Sequence, residues 1–498
     1  MFLSKLVHRS SSVCVAGLRV VLFFALQSGQ LAAEHTVYIP PVFVRGDFFN
    51  QWLEPEDRVG VSARCRHEQT LDSRTLGRFL GPDGKADFTI GPRYQYDLFT
   101  GLVMHEGAAA PDSEQQSVIL APSNNVQKVD VTLWGNITPQ QWQRSKQLSF
   151  FANFDFAAVE QQLNARWQPI MNKRVGLESD YQDFFEGRYN NDLVAGTEKQ
   201  TNLLYEKFNN AVLRDAGISS LTLGVAFQRE FEQLVLMSMQ GLCSIPCGNK
   251  SDGGYLFKPR RGMGCHWGIG LGIDLAVPLS KRLRATVSVS DMFWLPAYDV
   301  RTAGIKFRPF SYYLGLGKQG QQNEPVIPAA NVLTQDCLVK PGNAVIMKFG
   351  LEGVFAQGHR VFGAWHGMYK EAEKVSFRTM LSTGTYAVAA ATYPTNQLFT
   401  PLVGVPPDYR FFDFIDPVFN DLGDAAWLQP KDLDFTVSAM PSYFENAFEL
   451  GWESLRAFKA GQMEGGPHVV LGYRAMQGEN ASILPNIFTC EIGVGVKF

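Results

Sequence analysis

The feature that most constrains the fold of this 498-residue chain is alternation of apolar and polar residues over long segments. In residues 265–293, every second position from Trp267 to Val277 is apolar, and after the turn sequence PLSKR the alternation resumes at Leu283. Successive side chains of a β-strand point to opposite faces, so a period of two predicts strands with one apolar face. We predict a β-hairpin here, with strands of about eleven and seven or more residues.

The same alternation recurs along the chain and reaches its end. It is found in residues 146–156, 303–317, 343–355, 359–370, 432–440 and 468–476. In the last eight residues, EIGVGVKF, Phe498, Val496 and Val494 share one face, while Lys497 and the glycines share the other. Many hairpins and few helical segments predict a single antiparallel all-β architecture.

The N-terminus predicts export of the chain. Lys5, Arg9 and Arg19 precede a short apolar run at residues 20–26, and small residues follow at 32–33. A basic region, an apolar region and small residues are typical of a secretory signal peptide. We predict a signal peptide at residues 1–33, cleaved after Ala33, and a mature chain of residues 34–498.

The exported chain is predicted to be either a soluble sandwich or a membrane barrel. Outside the signal peptide, no stretch has the 18 or more apolar residues that a transmembrane helix needs. A strand of about eleven residues is close to the length that crosses a bilayer at a tilt. Strand length, together with a polar face rich in glycine, favours the membrane barrel over the sandwich.

The C-terminus adds a resemblance to a known class of proteins. Glu491, Gly493, Val496 and Phe498 fill the order polar, any, glycine, any, any, hydrophobic, any, hydrophobic, which resembles the terminal assembly signal of outer-membrane β-barrels of Gram-negative bacteria. The resemblance implies a porin-like barrel in the outer membrane, inserted by the barrel-assembly machinery. It covers eight residues and the strand pattern, and it identifies no subfamily.

From chain length we expect about 14 strands, with a range of roughly 12 to 18. One region breaks the alternation: Val159, Leu163, Trp167 and Ile170 have helical spacing. We therefore predict a helical insertion at residues 157–216, acting as a plug or lying outside the membrane.

Long Pro/Gly/Asn-rich loops at 241–261, 318–342 and 393–430 are expected on the extracellular side, and the short turns are expected on the periplasmic side.

Several polar residues are predicted to face the barrel lumen. They are His266, Asp274, Arg284, Thr286 and Ser288. If Val277 pairs with Leu283, Asp274 and Arg284 become diagonal neighbours that shape ion selectivity or neutralise each other, and we favour neutralisation.

The cysteines suggest one candidate disulfide. Cys243 and Cys247, in the sequence CSIPC, could form a small disulfide in an oxidising compartment. A zinc site would need more ligands than His266 nearby, so we expect neither a metal nor a cofactor.

The function predicted from these patterns is an outer-membrane channel for passive diffusion of small hydrophilic solutes or ions. An adhesin or structural barrel remains an alternative, and an outer-membrane enzyme is a weaker one. The sequence has no HExxH, GxSxG or phosphate-loop motif, and no aspartate accompanies His266 and Ser288 as a triad would need.

The net charge bears on the expected partners. Removing residues 1–33 takes away three of the 45 basic residues and none of the 48 acidic residues, which leaves a formal net charge of 42 − 48 = −6. Nucleic acid is therefore not an expected partner, whereas outer-membrane lipid is.

Overall fold

The computed structural model describes most of the chain between residues 58 and 497. The described residues are 58–81, 85–90, 114–137, 146–172, 178–188, 201–231, 235–280, 282–305, 311–313, 315–318, 327–355, 359–379, 385–388, 428–435, 439–440, 442–454, 458–460, 463–478 and 486–497. The predicted signal peptide and Phe498 lie outside these ranges, as do residues 34–57 and most of the predicted loop at 393–430.

Strands account for most of the described residues. In chain order they are β1 (Arg58–Thr70), β2 (Asp87–Ile90), β3 (Glu114–Leu120), β4 (Ser123–Ile137), β5 (Lys146–Gln162), β6 (Ala165–Asn172), β7 (Leu213–Phe231), β8 (Val235–Pro246), β9 (Gly268–Pro278), β10 (Leu283–Trp294), β11 (Ala297–Thr302), β12 (Gly304–Ile305), β13 (Gly315–Lys318), β14 (Ile327–Pro328), β15 (Thr334–Lys340), β16 (Ala344–Val354), β17 (His359–Lys370), β18 (Lys374–Phe377), β19 (Tyr386–Val388), β20 (Leu433–Asp434), β21 (Tyr443–Ser454), β22 (Phe458–Ala460), β23 (Met463–Gly478) and β24 (Ile487–Lys497).

The helices are few and short. They are the α-helices Ser73–Leu80, Glu178–Phe185 and Ala329–Leu333, and the 3-10 turns Ser311–Tyr313 and Pro430–Asp432. The first helix begins after Asp72, whose carboxylate accepts hydrogen bonds from the backbone N–H groups of Arg74 and Thr75 at 3.0 and 3.1 Å. Among the described residues no helix is long and apolar enough to cross a membrane.

Twelve strands close into one antiparallel barrel. Their order is β1, β4, β5, β7, β8, β9, β10, β16, β17, β21, β23 and β24, and β24 pairs with β1 to complete the ring. The short strand β22 extends a hairpin with β23. The prediction of an all-β antiparallel barrel is confirmed, and the strand number of 12 lies at the lower end of the expected range.

The two faces of the barrel wall differ sharply in polarity. Along β9, Ile269, Leu271 and Ile273 are exposed on the outside, while Gly270, Gly272 and other alternate residues are buried on the inside. On the opposite part of the wall, Leu450 is 63% exposed and Phe448 59% exposed. Exposed apolar residues on every second position give the barrel an apolar outer surface, which is unfavourable in water.

The connections differ in length between the two ends of the barrel. At one end the strands are joined by short connections at 138–145, 232–234, 279–282, 355–358 and 455–462. At the other end five long connections, 71–122, 163–212, 247–267, 295–343 and 371–442, accompany the shorter connection 479–486. We call the described residues of the five long connections the cap.

The cap has its own hydrophobic core. All five long connections contribute buried residues to a single cluster, among them Leu120, Phe208, Leu256, Leu333 and Leu428. Its centre is aromatic: the ring centroids of Phe185 and Phe208 are 4.6 Å apart, and those of Phe185 and Tyr313 are 4.8 Å apart. Because each connection buries apolar surface against the others, the cap is one folded unit above one end of the barrel.

The predicted helical insertion at residues 157–216 is wrong over its described part. Residues 157–162 continue β5, β6 follows, and residues 213–216 begin β7. Only Glu178–Phe185 is helical among the described residues of this range. Leu163, Phe184, Phe185 and Phe208 of this region all belong to the cap core.

Candidate functional site in the barrel interior

The interior of the barrel is lined by polar and charged side chains. The residues that share the inward face of their strands and are less than a tenth exposed include Ser62, Arg64, Arg66, Glu68, Ser149, Asp155, Thr222, Asp274, Glu352, Arg360, His366, Glu445, Glu449, His468, Arg474 and Glu491. Buried charges are strongly unfavourable unless they are paired, so the pairing of these groups determines what the interior can do.

One ion-pair network spans the seam where the barrel closes. Arg66 on β1 lies 3.0 Å from Glu491 on β24 and 3.4 Å from Glu68. Glu68 also lies 3.2 Å from Arg474 on β23 and 3.5 Å from Lys128 on β4. The network therefore joins four neighbouring strands around the seam through charged side chains as well as backbone hydrogen bonds.

A second network lies towards the end with short connections. Arg360 on β17 bonds to Glu352 on β16 and to Glu453 on β21. Arg284 on β10 lies 3.5 Å from the same Glu352. Two guanidinium groups thus share two carboxylates across four adjacent strands.

Two histidines contribute to the same charged part of the wall. The His366 Nε2 atom is 2.8 Å from a carboxylate oxygen of Glu449. The His468 Nε2 atom is 3.4 Å from Glu491, which links it to the seam network through Arg66. Both imidazoles therefore lie beside carboxylates of the charged wall.

The opposite part of the wall is mostly neutral. On β4, β5 and β7, Ser149 donates to Asn136 at 2.7 Å, and Thr132 donates to Asn153 at 2.8 Å. On β8 and β9, Gln240 donates to Asp274 at 3.1 Å. The interior is therefore asymmetric. Ion pairs dominate one side, whereas on the other side the carboxyl groups of Asp155 and Asp274 accept hydrogen bonds from neutral side chains.

A cleft open to solvent lies against the ion-paired wall. Ser288, Lys348, Arg360 and His468 line it together with Glu453. Small hydroxyl groups and charges of both signs surround this space, so water and small polar solutes are chemically suited to it.

Large side chains fill much of the remaining interior. A Cβ atom added at Gly224 would lie 2.0 Å from the Phe151 ring, and one at Gly268 would lie 2.7 Å from the Trp294 ring. These two inward glycines make room for the aromatic side chains of Phe151 and Trp294 on neighbouring strands.

The predicted lumen residues fall into two groups. Asp274 is buried on the inward face, and Thr286 and Ser288 line the cleft. His266 is buried two residues before β9, where its Nδ1 atom is 3.0 Å from the Leu295 carbonyl oxygen. Burial lowers the pKa of His266.

The expected pairing of Asp274 with Arg284 is wrong. The hairpin register pairs Val277 with Ala285, so Arg284 lies opposite Pro278 and Asp274 lies opposite Ser288. This shift of two residues separates the two charges. Arg284 pairs with Glu352, a residue of β16 for which the hairpin sequence gives no signal.

The candidate disulfide is also a wrong prediction, since Cys243 and Cys247 are both free thiols. Cys243 lies within β8, which continues as extended chain to Pro246. At about 3.3 Å per residue the two Cα atoms are roughly 10 Å or more apart, beyond the reach of a disulfide.

The predicted assembly signal lies on the closing strand. Glu491 and Gly493 are buried on the inward face of β24, and Val496 pairs with Val61 of β1 and Gly465 of β23.

Among the described residues no group of three or more His, Cys, Asp or Glu is placed to hold a metal ion.

No protein-family model matches the sequence. No curated protein matches it either. Among solved structures, the chain is similar to an outer membrane channel from Pseudomonas putida F1, with 8% identity, 89% of this chain and 97% of that chain covered, and a TM-score of 0.40.

Two further similarities are to other outer-membrane barrels. The translocator domain of the autotransporter NalP from Neisseria meningitidis has 8% identity and a TM-score of 0.29, with 90% and 91% of the two chains covered. A FadL homologue from Pseudomonas aeruginosa has 7% identity and a TM-score of 0.28, with 89% of each chain covered. At these TM-scores the similarities do not determine what this chain does, and its class rests on its own strand pairing and surfaces.

Proposed function

We propose that this protein is an outer-membrane barrel that lets small hydrophilic solutes or ions diffuse through its interior. The observation that carries the proposal is the contrast between the two faces of the wall. The outside is apolar and exposed, which suits lipid, while the inside is ion-paired and contains a cleft open to solvent. A closed ring of strands leaves no unpaired edge, as a barrel in lipid requires.

The cap is expected on the extracellular side, because long connections lie there in outer-membrane barrels and short turns face the periplasm. Solutes would therefore pass the cap before they reach the cleft. A barrel of this class is assembled by the barrel-assembly machinery, and the closing strand β24 carries the residues that resemble its recognition signal.

A structural or adhesive barrel is the second candidate. The folded cap core and the aromatic side chains inside the barrel both favour it, since a scaffold needs no open path. An outer-membrane enzyme has less support, because His266 bonds to a backbone carbonyl while Ser288 lies in the cleft.

Conductance of the purified barrel in planar bilayers separates these candidates. We expect steady conductance from the wild type and a fall of several fold in Ser288→Trp, because the indole would occupy the cleft. The matched control is Val289→Trp, on the same strand but 46% exposed on the outside, which should leave conductance unchanged. A folded wild-type barrel that inserts and shows no conductance would reject the channel in favour of the scaffold.

A further inference from the structure

Three strands of the cap continue the barrel wall. Strand β11 follows β10 after two residues, β15 leads into β16, and β18 follows β17. The order β11, β15, β18 repeats the order β10, β16, β17 of the barrel strands below it. We call these three strands the wall extension. Its outward face follows on from the outer surface of the barrel.

Exposed apolar and aromatic side chains lie where the barrel wall meets the wall extension. On the barrel and just above it, Phe293, Leu295 and Tyr369 are exposed. On the extension itself, Tyr298 is 43% exposed and its cross-strand partner Leu338 is 39% exposed. Aromatic residues at this position are typical of the level where lipid tails meet headgroups.

Two lysines lie directly opposite each other in this region. Lys340 on β15 pairs in register with Lys374 on β18, and both are exposed on the outward face. Cross-strand partners have Cβ atoms about 4.5–5.5 Å apart, and like charges so placed are destabilising. A bound anion between the two ammonium groups would remove that repulsion.

The acidic residues nearby bond elsewhere. A carboxylate oxygen of Glu371 accepts from the backbone N–H of Asn343 at 3.0 Å, and one of Glu373 accepts from the backbone N–H of Met440 at 3.2 Å. Asp336 is four residues from Lys340, or about 13 Å along the strand. Within the described part of the chain, neither lysine forms an ion pair.

We propose that Lys340 and Lys374 hold a phosphate group of an outer-leaflet lipid between them. Lipid is the expected source of the phosphate, because the site adjoins the apolar surface against which the acyl chains would pack. The inference rests on the proposed insertion of the barrel in the outer membrane.

Native mass spectrometry of the full-length barrel in detergent tests this site, with bis-phosphorylated lipid A as the probe and phosphatidylcholine as the neutral-headgroup comparison. We expect the wild type to retain lipid A selectively and Lys340→Glu to retain roughly tenfold less. The substitution replaces a repulsive pair by Glu opposite Lys374, so the wall extension should be at least as stable as before. The control is Arg282→Glu, which makes the same charge change in the short turn at the other end of the barrel and should retain lipid A.

Other outcomes would overturn the inference. Unchanged retention in Lys340→Glu, or an equal loss in Arg282→Glu, would mean that the lysine pair is not the site. Displacement of lipid A by millimolar inorganic phosphate would indicate a free-phosphate site instead of a lipid site. Heat-modifiable gel mobility and insertion into liposomes are measured separately, so failure of the barrel to insert would count against the proposed function, whereas normal insertion without selective retention would reject only the lipid site.

Discussion

At the residue scale, the charge of the interior depends on a few carboxylates that each serve more than one cation. Glu352 is the clearest case, because both Arg284 and Arg360 bond to it. Replacing it with glutamine keeps the shape but removes the carboxylate that pairs with Arg284 and one of the two that pair with Arg360. Removing one partner from a buried pair is costly, typically about 3–5 kcal/mol, so some loss of stability is expected as well.

We predict that Glu352→Gln raises the chloride-to-potassium permeability ratio roughly twofold or more, because the path next to the cleft gains net positive charge. The ratio is obtained from the reversal potential in a salt gradient. Glu160→Gln is the matched control: Glu160 lies between the inward residues Val159 and Gln161 and so points outward, where it pairs with Arg214. An equal change in both variants would mean that the effect arises from overall charge.

At the element scale, the cap depends on a carboxyl group buried in its core. Glu206 accepts a hydrogen bond from the Thr302 hydroxyl at 2.5 Å, and its backbone carbonyl accepts one from the Tyr313 hydroxyl at 2.7 Å. Burial raises the pKa of Glu206 to about 7, above its ordinary value of 4.5. The folded cap therefore favours the protonated form, whose stabilising effect is complete below pH 4.5 and is lost as pH rises through about 7.

We predict that the free energy of opening the cap falls by about 3 kcal/mol between roughly pH 5 and pH 8, since each unit of pKa shift corresponds to about 1.4 kcal/mol. Hydrogen exchange at the amide of Phe208, corrected for the intrinsic exchange rate, measures this opening. Glu206→Gln cannot ionise and should show no such fall. A wild-type cap whose opening free energy stays constant over this range would contradict the assignment.

The same elements show how far the sequence could predict the fold. The β9–β10 hairpin was predictable, because a wall with one apolar outer face gives a clean period of two. Its register was not, since it depends on turn geometry and on pairing with β8 and β16. The helical prediction failed because a spacing of four cannot show where the chain leaves one strand and begins another: Val159 lies on β5, Leu163 in the connection and Trp167 on β6. Similarly, the second ion-pair network needs residues from four strands, which no local pattern brings together.

At the scale of the whole molecule, the number of strands depends on how many residues lie in the barrel wall and how many lie in the connections. An even division of the chain among strands predicted about 14, whereas the structure has 12 strands and a cap made from five long connections. Pairing of β24 with β1 closes the barrel over eleven residue pairs, from Gly60 with Lys497 to Thr70 with Ile487. Because β24 also pairs with β23, the last strand of the chain completes both the wall and the seam network.

We predict that Val494→Asp prevents insertion of the barrel while leaving export of the chain intact. Val494 pairs with Ala63 across the seam and alternates with the inward residues Gly493 and Gly495, so an aspartate there would face lipid. A charge on the lipid face costs up to about 2–4 kcal/mol near the middle of the membrane, and less towards its surface. The control is Val494→Thr, which has nearly the same shape without the charge and should insert with at most a modest loss. Heat-modifiable mobility in outer-membrane fractions measures insertion, and wild-type insertion of the aspartate variant would show that the outer face of β24 does not meet lipid.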